Sequence, residues 1–160
     1  LRTTRVPSLV ANRFDDVPKV GDDAILISTP TADDVGDALT KIDTRNPPST
    51  MHEDNFADVI GEKPVVLLFA TPALCQSRVC GPVVDIAEQV KEETDADVSF
   101  IHMEIFQDNQ FDNGPRRQVE AYNLPTEPWV FVFDADGTVS TAIEGAFSTE
   151  ELREAVDAVS

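Results

Sequence analysis

The order of apolar runs along this chain predicts a fold in which strands and helices alternate. Continuous apolar runs predict strands buried on both faces at Val65–Phe69, Val98–Phe106 and Trp129–Phe133. The turn sequence Asp134-Ala135-Asp136-Gly137 leads from the third of these runs into a fourth, Val139–Ile143. The last two strands should therefore form a hairpin.

Helical patterns fill the gaps between these strands. A short helix should end at Gly61, and an apolar stripe at helical spacing follows Pro82. Another short helix is predicted over residues 114–122, and a capping box at residues 148–151 begins a last helix over residues 149–159. The order β-α-β-α-β-β-α predicts an α/β fold whose mixed sheet is covered by helices on both faces.

The first fifty or so residues differ in composition from the rest, being rich in Pro and Asp. Within them, Ala24–Ser28 is a short apolar run that predicts a strand, and Arg45–Ser49 predicts an extended connector. We expect residues 1–53 to be an N-terminal extension packed on a single domain of residues 54–160, not a second domain. Leu1 stands where a start methionine would be, which suggests that a segment preceded it.

The charge of the chain excludes several classes of partner. Acidic residues outnumber Lys and Arg by 30 to 12, for a formal net charge of −18. Nucleic acids and anionic membrane surfaces need clustered basic residues, so neither is expected as a partner. The longest apolar run, Val65–Ala70, is far too short to cross a bilayer, and we expect no membrane insertion by this chain.

Two cysteines, Cys75 and Cys80, are separated by four residues. They are too few for a disulfide scaffold, and no further cysteine or clustered histidine completes a zinc set. The sequence therefore predicts no metal site and no cofactor. A redox role for the two thiols is the sharper remaining hypothesis.

Several features occur in a characteristic order between about residues 56 and 159. An apolar strand runs into the cysteines, Pro82 lies in the helix that follows, and Pro128 stands directly before the hairpin strand. The hairpin turn and a Gly145-Ala146 ahead of the last helix complete the series. In this order the features resemble the thioredoxin superfamily, and within it the thiol-disulfide oxidoreductases of the TlpA and ResA type.

The resemblance implies a thioredoxin-like fold and a redox-active dithiol formed by Cys75 and Cys80. It also implies that Pro128 follows a cis peptide bond and lies against the cysteine pair. Glu127, next to it, either contacts the substrate or faces solvent. The implied partners are protein thiols or disulfides and a redox partner protein. The implied location is extracytoplasmic: periplasmic, secreted or membrane-anchored on the outside.

Two departures from that family bear on the chemistry. Its cysteines have two residues between them, whereas residues five apart on an ideal helix point about 140° away from each other. A Cys75–Cys80 disulfide therefore needs Cys75 in a loop or first turn, or local unwinding. The family's buried acid in the preceding strand is also missing, because Leu68 and Phe69 occupy the candidate positions.

Thiol exchange requires a thiolate, which a helix N-terminus and nearby cations stabilise. We expect Cys75 at the start of the helix to be the attacking nucleophile, with Arg78 as a nearby cation. Cys80, further into the helix and less exposed, would then be the resolving thiol. An inert disulfide and two unpaired thiols remain as alternatives.

Other residues support weaker predictions. His102 and Glu104 lie on one face of a strand, near the end where open α/β sheets place their sites. Glu104 could serve as the missing proton acceptor, or could form a buried, hydrogen-bonded pair with His102. His52 is expected on the surface, and Trp129 in the core.

Three rival functions fit parts of the pattern. The Cys-x4-Cys spacing also resembles a peroxiredoxin subgroup, although Pro72 stands where that family has Thr. A copper-binding assembly factor of the Sco type is thioredoxin-like too, but it uses a late histidine, and this chain has none after His102. A redox-silent binding module is the third.

Overall fold

The computed structural model describes residues 14–75 and 78–160. In this part of the chain, four strands form one mixed sheet in the order β2-β1-β3-β4. β1 runs parallel to β2 and antiparallel to β3, and β3 is antiparallel to β4. The strands are β1 (Val65–Phe69), β2 (Ser99–Met103), β3 (Trp129–Phe133) and β4 (Val139–Glu144). The predicted hairpin is therefore present, while β2 is shorter than the predicted run.

The α-helices connect and flank these strands. They are α1 (Phe56–Val59), α2 (Cys80–Glu93), α3 (Arg117–Ala121) and α4 (Thr149–Asp157). α4 begins with the predicted capping box, in which the Ser148 side chain accepts from the Glu151 N–H and the Glu151 side chain accepts from the Ser148 N–H. None of the helices in the described residues is long and apolar enough to cross a membrane.

Two apolar cores lie on opposite faces of the sheet, because successive strand residues point to opposite sides. On one face, Leu67 and Phe131 pack with α1 and the residues around α3. On the other face, Leu68 and Val130 pack with α2 and α4. The mixed sheet with helices on both faces is thus confirmed, and Trp129 lies in the first core as predicted.

The segment before α1 packs against the first face, but the strand predicted at Ala24–Ser28 is wrong. The Ala24 N–H bonds to Gly137, and further on the carbonyl groups are satisfied by side chains instead of a neighbouring strand. The Tyr122 hydroxyl donates to the Ile25 carbonyl, and the Gln118 amide donates to the Ser28 carbonyl. The run is apolar because Ile27 enters the core, not because it pairs in a sheet.

A second part of this region, residues 43–52, lies along the outer edge of β2, and we call it the edge segment. The His102 N–H donates to the Met51 carbonyl, which satisfies a donor at the free side of the edge strand. Lys91 and Glu88 of α2 both hydrogen-bond to Thr50, so the edge segment is also held from the helix side. The predicted domain boundary between residues 53 and 54 remains a prediction.

The capping box gives a stability prediction for α4. Ser148→Ala should lower the free energy of unfolding by about 1 kcal/mol, because the Glu151 N–H loses its acceptor. Urea unfolding followed by circular dichroism measures the change. Ser148→Asp is the matched control, since an aspartate at this position also caps, and it should stay close to wild type. Equal losses in both variants would show that the cap contributes nothing.

Candidate active site

Three segments that carry candidate residues meet at one edge of the sheet. β1 and β2 are parallel, so the residues after them lie side by side, and the start of antiparallel β3 lies beside the end of β1. The cysteine loop, residues 70–79, follows β1; residues 76 and 77 within it lie outside the described part. Glu104 follows β2, and Pro128 precedes β3. Open α/β sheets place their sites at this edge.

Cys75 and Cys80 are joined by a disulfide, with their Cα atoms 5.9 Å apart. This separation lies within the ordinary range for a disulfide. Cys80 is completely buried in the core under α2, whereas Cys75 is partly exposed and packs at the margin of that core. Cys75 is therefore accessible from solvent, and Cys80 is not.

The position of the helix start corrects one expectation. α2 begins at Cys80, so Cys75 lies in the loop five residues earlier rather than in the first turn, and Cys80 is the first helical residue rather than one further in. This placement solves the spacing problem, because the two cysteines do not both belong to a regular helix. Arg78 is exposed between them with a positive φ of 65°, a conformation that non-glycine residues adopt infrequently.

Pro128 is buried at the start of β3, and the Glu127–Pro128 peptide bond is cis. The Pro128 carbonyl accepts from the Gly145 N–H, which ties this corner to the end of β4. Glu127 is partly buried, and this burial raises the pKa of its carboxyl group above the ordinary value. The sheet register thus brings Pro128 and Glu127 to the edge that carries the cysteine loop.

Glu104 is connected to the cysteine loop through Thr44 of the edge segment. The Thr44 N–H and hydroxyl both donate to Glu104 Oε2, at 2.7 and 2.9 Å. The same Thr44 oxygen accepts from the Ala73 N–H at 3.0 Å. The second carboxylate oxygen, Oε1, is buried and has no hydrogen-bond partner among the described residues. A buried carboxylate oxygen therefore remains available next to the loop that leads to Cys75.

A buried polar group that we call the Asp–His cluster lies beside Glu104 and consists of Asp43, Ser49, His52 and His102. His52 Nε2 lies 2.7 Å from Asp43 Oδ2, and His102 Nδ1 lies 3.2 Å from the same oxygen. The Ser49 hydroxyl is 3.3 Å from each of these two nitrogens. His102 Nε2 lies 2.9 Å from the Ala70 carbonyl, at the point where β1 enters the cysteine loop. All members are buried.

Solved structures resemble the fold of this chain over most of its length. The chain has the thioredoxin fold. A thiol:disulfide interchange protein of Chlorobium tepidum is 18% identical with a TM-score of 0.55, covering 89% of this chain and 99% of its own. A putative protein disulfide isomerase of Bacteroides thetaiotaomicron is 13% identical with a TM-score of 0.60, covering 89% and 91%. A putative thiol:disulfide interchange protein DsbE of Chlorobium tepidum is 14% identical with a TM-score of 0.59, covering 89% and 98%.

The predicted thioredoxin-like fold is therefore confirmed by structure rather than by sequence. No protein-family model matches the chain, and no curated protein sequence matches it. At these identities the comparison establishes the fold of the chain.

The charges of the Asp–His cluster depend on one another. Burial alone would raise the pKa of Asp43, but hydrogen bonds from His102 and His52 outweigh it and hold that pKa well below its ordinary value. Burial alone would lower the pKa of His102, but the hydrogen bond and charge of Asp43, with the charge of Glu104, raise it instead. The Asp43 carboxylate is therefore the negative centre around which this interior is organised.

The surface position predicted for His52 is wrong. Its side chain is 3% exposed, because the edge segment turns it inward onto Asp43. His102 and Glu104 do share one buried face, as predicted, with His102 Nε2 3.7 Å from Glu104 Oε2. The sequence reasoning missed Asp43, Thr44 and Ser49. The one available signal was that a Pro- and Asp-rich segment contains one of the chain's two histidines.

The bridge through Thr44 gives a second stability prediction. Thr44→Val should lower the free energy of unfolding by about 1 to 3 kcal/mol, because the buried Glu104 carboxylate loses a donor and the Ala73 N–H loses its acceptor. Thr44→Ser keeps the hydroxyl and is the matched control. Urea unfolding of the oxidised protein measures both. If the Val and Ser variants were equally stable, the hydrogen bonds of the Thr44 hydroxyl would contribute nothing to the free energy of unfolding.

Proposed function

We propose that this chain is a thiol-disulfide oxidoreductase whose Cys75–Cys80 pair exchanges a disulfide with protein substrates. The observation that carries the proposal is the disulfide at the carboxyl edge of a thioredoxin-fold sheet, with one cysteine reachable and the other buried. The similar structures, which are named as thiol:disulfide interchange proteins and a putative protein disulfide isomerase, support it. A redox partner protein would return the pair to its working state.

The difference in exposure between Cys75 and Cys80 supports a particular order of steps in the exchange. In the reducing direction, the Cys75 thiolate attacks a substrate disulfide, forming a mixed disulfide and releasing one substrate thiol. The Cys80 thiolate then attacks the Cys75 sulfur, which forms the internal disulfide and releases the second substrate thiol. Two electrons pass to the substrate, and its two sulfurs take up the two protons that the pair loses. The reverse sequence oxidises a substrate dithiol.

Neighbouring residues would assist this exchange. Arg78 is an exposed cation between the two cysteines. It can stabilise the thiolate form of Cys75, or it can bind an acidic surface of the substrate. Glu104, with one unpartnered buried oxygen, is the proposed proton acceptor for the buried Cys80 thiol. Pro128 and Glu127 form the proposed substrate-contacting corner at the start of β3.

The proposal includes a location outside the cytoplasm, in the periplasm, secreted or anchored to the outer side of a membrane. Its support is that disulfides form and persist in oxidising compartments. Neither the peroxidase nor the copper-binding alternative has a separate observation in its favour. Within the described residues, the two histidines form hydrogen bonds in the Asp–His cluster and none to the cysteine pair.

Single cysteine variants test the order of attack. Cys75→Ser should abolish insulin reduction, because the reachable nucleophile is lost. Cys80→Ser should retain attack but not resolution, so it should accumulate a mixed disulfide with the substrate that mass spectrometry detects. In the reduced wild type, Cys75 should be alkylated faster than Cys80.

The controls separate the rival functions. Peroxide consumption without insulin reduction would favour a peroxidase and contradict the proposal. Equal alkylation rates, together with mixed disulfides trapped equally by both serine variants, would contradict the assigned order. If mild reductants did not reduce the Cys75–Cys80 disulfide, the disulfide would be structural and would take no part in exchange.

The role of Glu104 is tested by a change that removes the proton acceptor and keeps an oxygen for Thr44. Glu104→Gln should slow exchange by about 100-fold near neutral pH, a typical contribution of general acid–base catalysis. It should also change the pH profile of the rate. Glu62→Gln, which removes an exposed carboxylate before the start of β1, is the matched control and should leave that profile unchanged. An unaltered profile in folded Glu104→Gln would assign Glu104 a structural role only.

A further inference from the structure

The Asp–His cluster brings donor atoms from distant parts of the chain to one buried point. Asp43, Ser49 and His52 come from the edge segment, and His102 comes from β2. One ligand atom from each of Asp43, His52 and His102 lies within 4.8 Å of the others. The side chains of Asp43 and His102 have no exposed surface. The arrangement lies outside the cysteine pair, and the proposed exchange reaction does not use it.

Four of the six distances among the donor atoms of the cluster are near or below those of a regular tetrahedral metal site, and the ligand nitrogens of the two histidines lie within 4.8 Å of each other. Ligands at about 2.0 to 2.1 Å from a zinc ion lie about 3.3 Å apart in a regular tetrahedron. The Ser49 oxygen is 3.3 Å from both imidazole nitrogens, and His102 Nδ1 is 3.2 Å from Asp43 Oδ2. Asp43 Oδ2 and His52 Nε2 are closer, at 2.7 Å, and would have to move apart by about 0.6 Å to reach the tetrahedral distance.

The surrounding contacts resemble those that orient metal ligands. A metal-bound histidine almost always offers its second nitrogen to a carbonyl or carboxylate. His102 does so, with Nε2 2.9 Å from the Ala70 carbonyl, which leaves Nδ1 directed into the cluster. The Asp43 carboxylate is held by the backbone N–H groups of Arg45 and Ser49, at 2.7 Å each. Two of the ligands are thus fixed independently of the ion.

The charge balance also favours a cation at this point. Asp43 and Glu104 are buried carboxyl groups on either side of His102, and an isolated buried charge is costly. Asp43 Oδ2 already accepts from the Ser49 N–H and lies 2.7 Å from His52 Nε2, so His102 Nδ1 does not have to donate to it and can act as a neutral ligand atom. A divalent ion would add positive charge beside these carboxyl groups while both imidazoles stay neutral.

We propose that Asp43, His52 and His102 bind a divalent transition-metal ion of the zinc class, with the Ser49 hydroxyl at the fourth corner. Two imidazoles and a carboxylate are suitable ligands for Zn²⁺ and its neighbours. Because all the ligands are buried, the site is structural: the ion fastens the edge segment to β2. It is loaded as the chain folds and not through an open channel.

The first experiment measures metal retention in a tag-free chain with its disulfide intact, so that neither thiols nor a tag can bind the ion. The protein is unfolded with chelator, refolded with or without Zn²⁺, and passed over a desalting column. We expect about one zinc per chain by mass spectrometry of the metal, and a higher midpoint of thermal unfolding in the zinc-refolded sample. Refolding with Mg²⁺ is the control for loose binding to surface carboxylates.

Variants then locate the ion. Asp43→Asn, His52→Gln and His102→Asn keep polar groups of similar shape, and each should weaken zinc binding by more than about tenfold. Asp97→Asn removes an exposed carboxylate and is the matched control, so it should retain the metal. Co²⁺ in a Cys75→Ser, Cys80→Ser double variant should show the visible absorption of tetrahedral cobalt without a thiolate charge-transfer band.

The outcomes are decisive even when a variant fails to fold. Wild type that refolds with no retained zinc and an unchanged unfolding midpoint overturns the proposal, since that result needs no variant. Zinc retained equally by the three ligand variants overturns it as well. If those variants do not fold, the cobalt spectrum of the thiol-free protein decides: tetrahedral nitrogen and oxygen ligation supports the site, and its absence contradicts it.

Discussion

The structure depends on β1, a strand that is buried on both of its faces. All five residues of β1 are completely buried, so the chain must cover both sides of the sheet. Burying each large apolar side chain contributes roughly 1.5 to 3 kcal/mol. α2 and α4 supply one cover, and α1, α3 and the segment before α1 supply the other. The remaining boundaries of the sheet are its ends and its β2 and β4 edges, and these are the places left for polar groups.

The cysteine loop and the edge segment lie at those boundaries. β1 ends at Phe69, where the sheet ends, and the chain then passes through the cysteine loop to α2 on one face of the sheet. The outer edge of β2 has unpaired backbone donors, and the edge segment satisfies one of them through Met51. Thr44 is bound both to Glu104 and to the backbone of the cysteine loop, so the edge segment and the cysteine loop share a support.

Hydrophobic pattern and turn chemistry were sufficient to predict the strands after residue 60 and the capping box. They failed for the strand predicted at Ala24–Ser28, because Ile27 is apolar in order to pack in the core and not because the run pairs in a sheet. They also failed for His52, because nothing local distinguishes a surface histidine from one drawn inward by Asp43. Asp43 and Thr44 acquire their roles only from residues far along the chain, and no spacing rule within one segment encodes such a contact.

The edge segment has a consequence for the order of folding. Its main polar contacts join residues 59 and 60 positions apart, from Asp43 to His102 and from Thr44 to Glu104. Such non-local contacts form late, because the loop between them must first be closed. During synthesis, residues 43–52 leave the ribosome well before β2, and their contacts with His102 and Glu104 cannot form until that strand has been made. The part of the chain that supports the cysteine loop is thus made early and becomes native late.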